Sequence, residues 1–429
     1  MLPRHRKIVL MFFVAALLPA LLFSCAEMAP RDKEADTQYE NAKRLLDNSG
    51  SNGASLVEAQ SILETLVQQH PNYARAYIEL ARHAVMQGYR LSTPSGPVYQ
   101  DGALDASEKF IKQALAIDAN LADAYVFYGY LALEQGNPKK SRELLQRAET
   151  LGTTNLWLEM NWASLLEKEG SKDEATARLE RVVARKDAAP RIVANALGTL
   201  IQYKDAANQV DEINALYIKL LDLTPNNAWS RGNYAEFLLH KKHDYDGAIK
   251  YAQEALAIMR YPIGERIYAT ALCAKGANLL FERGQRKEAF SLFDEAKNIY
   301  PDLEELFYRA ALQEATFEAA LGLVEYGVDI NVADPDDTTA VAWWVLRNDD
   351  SKVKKLIDYH ANLNYVSGFG GTPLHFAIRN NLMTMFNVLL ANGADPSILN
   401  KDGVSPLQSA RQLGRVEFVQ ALEAAGQKH

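Results

Sequence analysis

Through most of the chain, apolar residues return every third or fourth position in segments of about 14 to 18 residues, the spacing of amphipathic helices. Tyr125, Tyr128, Gly129 and Ala132 stand at i, i+3, i+4 and i+7, so one face is apolar and carries a small residue where a neighbour must approach. After the turn Gly136-Asn137-Pro138, a second segment carries Leu144, Leu145 and Ala148. The same grammar returns as Asp244-Tyr245, Ala248, Ala252 and Ala255, and again as Gly284, Ala289, Phe293, Ala296 and Pro301. Pro71, Pro225 and Pro301 close helical segments, and Asn120, Gly152 and Ala189-Pro190 mark comparable breaks, spaced by about 32 to 40 residues from Asn120 onward. Each period therefore predicts two antiparallel helices joined by a turn. The step from Pro71 to Asn120 is longer because a loop, Ser92 to Gly102, interrupts that unit, an insertion of about residues 91–103.

The C-terminal third has a stricter period. Gly327, His360, Gly393 and Gly426 are 33 residues apart, and so are Asn331, Asn364 and Ser397. Thr372-Pro373-Leu374-His375 is followed 33 residues later by Ser405-Pro406-Leu407-Gln408 and preceded by Thr339-Ala340-Val341-Ala342. A left-handed Gly393 ends one helix, and Thr or Ser before Pro caps the next.

On these residues, 35–301 resembles tetratricopeptide repeats, in six or seven units, and 302–429 resembles ankyrin repeats, in about four. The expected fold class is all-α: a tetratricopeptide-like superhelix of helix pairs followed by an ankyrin-repeat solenoid. A chain of 429 residues exceeds what one core sustains, and stacked units that pack only on their neighbours resolve that difficulty. Trp344 stands where the other ankyrin units place Ala311, Ala377 and Ala410, which predicts looser packing in the second unit.

The first residues follow another pattern. Arg4, His5, Arg6 and Lys7 precede an apolar run from Ile8 to Phe23, 16 residues broken by Pro19, which is a signal-peptide layout and short of a membrane-spanning helix. Leu22-Phe23-Ser24-Cys25 looks like a bacterial lipobox. That resemblance implies removal of residues 1–24, acylation of Cys25 and a tethered linker over 25–34. With Ala26 rather than Asp next, it implies release to the outer membrane, facing the periplasm. Ser24-Cys25-Ala26 also allows plain cleavage after Ala26 and a soluble periplasmic or secreted product. Cys273, the one other cysteine, lies in an apolar stretch and is expected to be a buried, inert thiol.

Composition adds limits. With 48% hydrophobic residues, 23% charged residues and a net charge of -8, the chain has neither a disorder signature nor a polybasic tail, so no nucleic-acid partner is expected. His375 belongs to the turn motif, where the ankyrin resemblance implies hydrogen bonds to backbone between repeats. His240 and His243 flank Lys241-Lys242 without a third metal ligand, and read as a solvated helix end. Gly368, Gly370 and Gly371 read as turn glycines; Asp334, Asp336 and Asp337 read as a solvated acidic turn. No nucleophile, base and orienter assemble, so neither an enzyme, a metal nor a cofactor is expected.

One helix departs from amphipathicity: between Leu121 and Leu133 only Asp123 is charged. Its second face carries Val126, Tyr130 and Leu133; Trp157 and Met160 follow in the next unit, and Ile78 and Arg82 stand in the preceding one. The tetratricopeptide resemblance puts these seven residues on a concave groove that takes a peptide or partner helix, unless the N-terminal segment or the 92–102 loop covers it. The expected function is a non-enzymatic protein interaction scaffold with a second partner on its ankyrin surface. Residues 302–429 hold 10 Lys plus Arg against 17 Asp plus Glu, a balance of -7 that favours a basic partner patch. The alternative is a small-ligand or lipid carrier whose apolar cavity Tyr130 and Trp157 would line.

Overall fold

The computed structural model describes residues 33–48, 53–93 and 96–426. The expected leader, Cys25 and most of the expected linker lie outside the described residues. The chain forms two compact units, Met1–Leu200 and Ile201–His429.

Unit 1 is a run of helices packed in sequence. Lys33–Asn48 (α1) pairs with Gly53–Gln69 (α2), and Ala74–Gly88 (α3) with Ala103–Ile117 (α4). Ala122–Glu134 (α5) pairs with Pro138–Thr150 (α6), and Trp157–Lys168 (α7) with Lys172–Ala184 (α8). Pro190–Ala206 (α9) carries the chain into unit 2. Small residues set the spacing of the pairs. A Cβ on Gly129 would stand 2.5 Å from Leu145 Cδ2, so α5 and α6 meet at a distance that only glycine permits there. Ser141 Oγ donates to Gly129 O at 2.8 Å across the same contact. The turn before α6 is capped by Asn137, whose side chain accepts from Lys140 N at 3.1 Å, with Pro138 in the first turn.

Between α3 and α4 the structure differs from expectation. The segment read as a loop forms an antiparallel hairpin of Tyr89–Thr93 (β1) and Gly96–Tyr99 (β2), with a bulge between Tyr89 and Leu91. It is the one sheet among the described residues.

Unit 2 begins with Val210–Leu223 (α10) and Ala228–Phe237 (α11), which runs on into a π-turn at Leu238–Lys242 and ends at left-handed His243 (φ 54°). Tyr245–Ile258 (α12) completes that pair, and Pro262–Arg283 (α13) with Arg286–Ile299 (α14) forms the next. The ankyrin-type pairs follow: Leu303–Ala311 (α15) with Phe317–Tyr326 (α16), Ala340–Leu346 (α17) with Asp350–Asp358 (α18), Pro373–Arg379 (α19) with Met383–Ala391 (α20), and Pro406–Gln412 (α21) with Val416–Gly426 (α22). The two repeat types share packing directly. A Cβ on Gly322 of α16 would lie 2.9 Å from Phe293 Cζ of α14 and 3.2 Å from Ala277 Cβ of α13.

The 33-residue period has a hydrogen-bond ladder beneath it. Asn331 Oδ1 accepts from Asn362 N at 2.7 Å, and Asn364 Oδ1 accepts from Asp395 N at 2.8 Å, each tying one repeat to the next. Trp344 does not loosen its repeat. It is 3% exposed, its Nε1 donates to Ala311 O at 2.7 Å, its ring meets Phe317 edge-on at 5.8 Å, and Lys352 Nζ stands 4.5 Å over it. The indole fills space that alanine would leave empty, and its one polar atom is satisfied.

Two predictions follow from this packing. Trp344→Ala, which restores the residue the other units carry, should cost about 3 to 5 kcal/mol in equilibrium unfolding through the cavity and the lost bond. In unit 1, Glu108 accepts from Tyr128 Oη (2.6 Å), Gln135 Nε2 (3.1 Å) and Lys140 Nζ (3.1 Å), and pairs with Lys112 (3.0 Å), linking α4, α5 and α6. These donors, Tyr128 foremost, hold its carboxyl well below the usual range. A depressed carboxyl contributes stability above its unfolded value near 4.5 and loses it as the pH falls through the folded one. Glu108→Gln should therefore cost about 2 kcal/mol at neutral pH, with the deficit shrinking on acidification. A deficit independent of pH would contradict this account.

Candidate functional site

The face expected to form an open groove in unit 1 is mostly closed. Ile78, Val126 and Leu133 are buried, at 7%, 2% and 2% exposure, so they cannot offer an accessible anchor surface. Ile78 packs with Ala114 and Ala124, and Val126 O accepts from Asn161 Nδ2 of α7 at 2.9 Å. Arg82 is held between Asp47 (2.8 Å) and Glu79 (2.6 Å).

Tyr130 is covered by the hairpin. Its hydroxyl lies 2.8 Å from that of Tyr99 in β2, whose Oη also donates to Glu134 at 3.4 Å, and its ring stacks on Phe127 at 5.7 Å. Burial holds both phenols protonated, with Tyr99 pushed up to about 12. Of the seven residues, Trp157 remains open at 40% exposure, with Met160 partly buried beside it. A cleft of about 710 Å³ lies between α1 and α2, lined by polar residues such as Gln38, Asn41 and Arg44. Neither Tyr130 nor Trp157 is among its walls. The carrier reading gains nothing from it.

In the ankyrin repeats, Thr372 and His375 form a capping box: His375 Nδ1 accepts from Thr372 N at 3.3 Å and lies 2.8 Å from Thr372 Oγ1. His375 Nε2 meets Val404 O of the following repeat at 3.0 Å. With Nδ1 accepting from backbone, Nε2 carries the proton, and burial favours this neutral form. Pro373 and Leu374 are buried beside it, and Gly393 adopts φ 94° at its helix end.

Two readings of this part need correction. Asp334 is not a solvated turn residue: it is 8% exposed and accepts from Asp336 N (3.0 Å), Thr338 N (2.9 Å) and Trp343 Nε1 (2.7 Å), organising the turn between α16 and α17. Nor is His240 part of a solvated helix end. The π-turn brings it inward, whereas His243 stays exposed. Cys273 is 1% exposed, and desolvation pushes its thiol up to about 12.

A polar constellation that pattern reading missed lies around His240. Glu236 and His240, then Arg266 and Thr270, then Arg309 and Gln313 are i, i+4 pairs that line one small pocket with Thr316. They come from α11 and its π-turn, α13, and α15 with the turn after it. The signal was present as three polar i, i+4 pairs, but only packing shows that they converge. Burial and the adjacent Arg266 push His240 down to about 4.

The fold is all-α and built of two repeat types, which together support a protein–protein interaction scaffold. A family profile for tetratricopeptide repeat matches residues 225–302, and one for ankyrin repeats (3 copies) matches 307–400 and 342–428. Palmitoyltransferase ZDHHC13 of Homo sapiens is 31% identical over 130 residues, 30% of this chain and 20% of that protein. Palmitoyltransferase ZDHHC17 of Danio rerio is 35% identical over 96 residues, 22% of this chain and 16% of that one. The chain spans about a fifth of the length of these curated relatives. Among solved structures, Cut9–Hcn1 of the APC/C is similar with a TM-score of 0.42 at 18% identity, over 56% of this chain and 46% of that one. PilF of Pseudomonas aeruginosa has a TM-score of 0.39 at 19% identity, over 59% and 97%.

The relatives correct one expectation. They are enzymes by name, so the exclusion of an enzyme drawn from the sequence does not stand. That exclusion searched for catalytic groups among repeats, and the likeness, over the ankyrin region, shows that such repeats occur in enzymes too.

The closed face makes a prediction. Tyr130→Ala should destabilise by several kcal/mol, since it removes core packing and the Tyr99 contact, whereas Trp157→Ala should stay within about 0.5 kcal/mol of the parent. Thermal melts of the two single variants check this; equal, small effects would mean that the hairpin does not cover Tyr130.

Proposed function

We propose that this chain is an interaction scaffold of the bacterial envelope, tethered to the outer membrane by acyl chains on Cys25 and facing the periplasm. The observation that carries the scaffold part is the pairing of two interaction-repeat types in one chain, matched over 225–302 and 307–428. The tether rests on the charged start, the short apolar run and Leu22-Phe23-Ser24-Cys25. Among the described residues, no helix is long and apolar enough to cross a membrane.

Partner capture in unit 1 would centre on Trp157 and the edge of Met160 rather than on Tyr130, because an exposed aromatic ring offers apolar area at little entropic cost. The ankyrin surface, with its balance of -7 over residues 302–429, favours a basic partner. It is also the part shared with the palmitoyltransferases, and here it would serve recognition.

Cys25→Ser should move the protein from the membrane fraction to the soluble periplasmic fraction, with crosslinking in intact cells identifying partners that the parent captures and the variant loses. Unchanged membrane association of Cys25→Ser would reject the acyl tether, and absence of any specific crosslinked partner would reject the scaffold.

A further inference from the structure

The three turns that precede α17, α19 and α21 are built alike. Across them Asp337 N donates to Asp334 O at 2.9 Å, Gly370 N to Ser367 O at 2.9 Å and Gly403 N to Asn400 O at 3.0 Å. The donor residue is left-handed each time, with φ 57°, 93° and 73°. Neighbouring turns are also bonded side by side: Gly368 N donates to Asp337 O at 2.6 Å, and Lys401 N to Gly370 O at 2.9 Å. The turns therefore form one row, fixed by backbone.

Just before the left-handed position stand Asp336, Phe369 and Asp402, each with an exposed side chain. Because aspartate serves the same turn on either side, the turn itself does not call for a phenyl ring at Phe369. That ring meets Trp343 edge-on, with centroids 6.1 Å apart and planes at 84°. Trp343 is pinned in turn, since its Nε1 donates to Asp334 at 2.7 Å and Arg347 lies over it at 5.5 Å. Phe369 is thus set against a fixed indole while 44% of its surface stays in water.

The charges around it are one-sided. Among the described residues, the carboxylates of Asp336 and Asp402 make no hydrogen bond or ion pair. Asp337 differs, being bonded to Tyr365 Oη and paired with Lys401 at 3.4 Å. Arg347 is occupied as well, donating to Leu312 O at 3.2 Å. The row and its support hold the carboxylates of Asp334, Asp336, Asp337 and Asp402 against the two cations Lys401 and Arg347, so the balance attracts positive charge. An aromatic face favours a cation over an anion, and arginine suits this place because its guanidinium stacks on a ring while its fork of donors reaches a carboxylate.

We propose that Phe369, flanked by Asp336 and Asp402, is the docking point for an arginine side chain in a basic segment of a partner protein. The guanidinium lies over the open part of the ring, and the two free carboxylates supply its counter-charge. The inference rests on the scaffold reading and deepens it, giving the charge preference of residues 302–429 a place and a chemistry.

The test measures binding of dye-labelled dodecapeptides to the full chain by fluorescence anisotropy. Three are compared: alternating Ala-Arg, alternating Ala-Lys, and alternating Ala-citrulline, which keeps the shape of arginine without its charge. The Arg peptide should bind about threefold more tightly than the Lys peptide and at least about tenfold more tightly than the citrulline peptide. Phe369→Ala should weaken the Arg peptide by about threefold, whereas Phe369→Trp, which offers a stronger π face, should tighten it. Asp336→Asn combined with Asp402→Asn should weaken it too. Should Phe369→Ala prove unstable, Phe369→Trp and the paired Asn variant still decide.

Equal binding of the Arg and citrulline peptides would overturn the proposal. So would Arg-peptide binding that neither Phe369 variant changes, which would mean diffuse attraction to an acidic surface. If crosslinking in cells captures the same partners with Phe369→Ala as with the parent and the peptides show no preference, the assignment of Phe369 fails and the scaffold reading stands.

Discussion

The close approach of paired helices, set by glycine and alanine at their contacts, is the constraint on which the rest of this chain depends. A stacked repeat buries its apolar face only against its neighbour, so each pair has to come close enough for that face to pay for chain ordering. Gly129 against Leu145, Gly276 against Phe293 and Gly322 against Phe293 are among the places where an added Cβ has no room. The largest apolar side chains then fill what the small residues leave, with Phe293, Phe307, Phe376 and Phe386 fully buried. Cys273 is buried and free, so among the described residues packing, and not a disulfide, holds the pairs together.

The same constraint accounts for the two departures from regular repeats. A helix that is apolar on both faces, as α5 is, has to be covered twice, and the β1–β2 hairpin supplies part of the second cover through Tyr99. In the ankyrin region, Trp344 takes the position that alanine holds in the other units and fills the space there with its Nε1 on Ala311 O and its ring against Phe317 and Lys352. Both are cases in which a bulky aromatic is accommodated because its hydroxyl or indole N–H finds a partner.

At the boundary between repeat types, packing continues while chemistry changes. Gly322 lets the first ankyrin-type helices settle directly on α13 and α14, and the inner helices α11, α13 and α15 then line one polar pocket. Inside the ankyrin repeats, by contrast, polar groups are spent on structure. Asn331, Asn364, Asp334 and His375 each bond backbone, whereas Phe369 keeps its ring exposed.

What was readable from residue order follows from locality. Helix periods, proline breaks, the turn at Gly136-Asn137-Pro138, the Ser405 and Thr372 caps, the 33-residue register and the burial of Cys273 all depend on neighbours a few positions away or on strict repetition, so they are legible in one dimension. The hairpin was not, because β1 and β2 are too short to alternate visibly and gain their purpose from Tyr130, 31 residues beyond Tyr99. The solvated readings of His240 and Asp334 failed for a related reason: a π-turn and an indole N–H draw them inward, and neither is visible in residue spacing. The sequence by itself determined the repeat classes, their register and their helix ends, because those are set by interactions within and between adjacent turns. Only the tertiary structure decided which faces are open, how Trp344 is housed, and that Glu236, His240, Arg266 and Gln313 converge, because those depend on distances between helices that no single segment encodes.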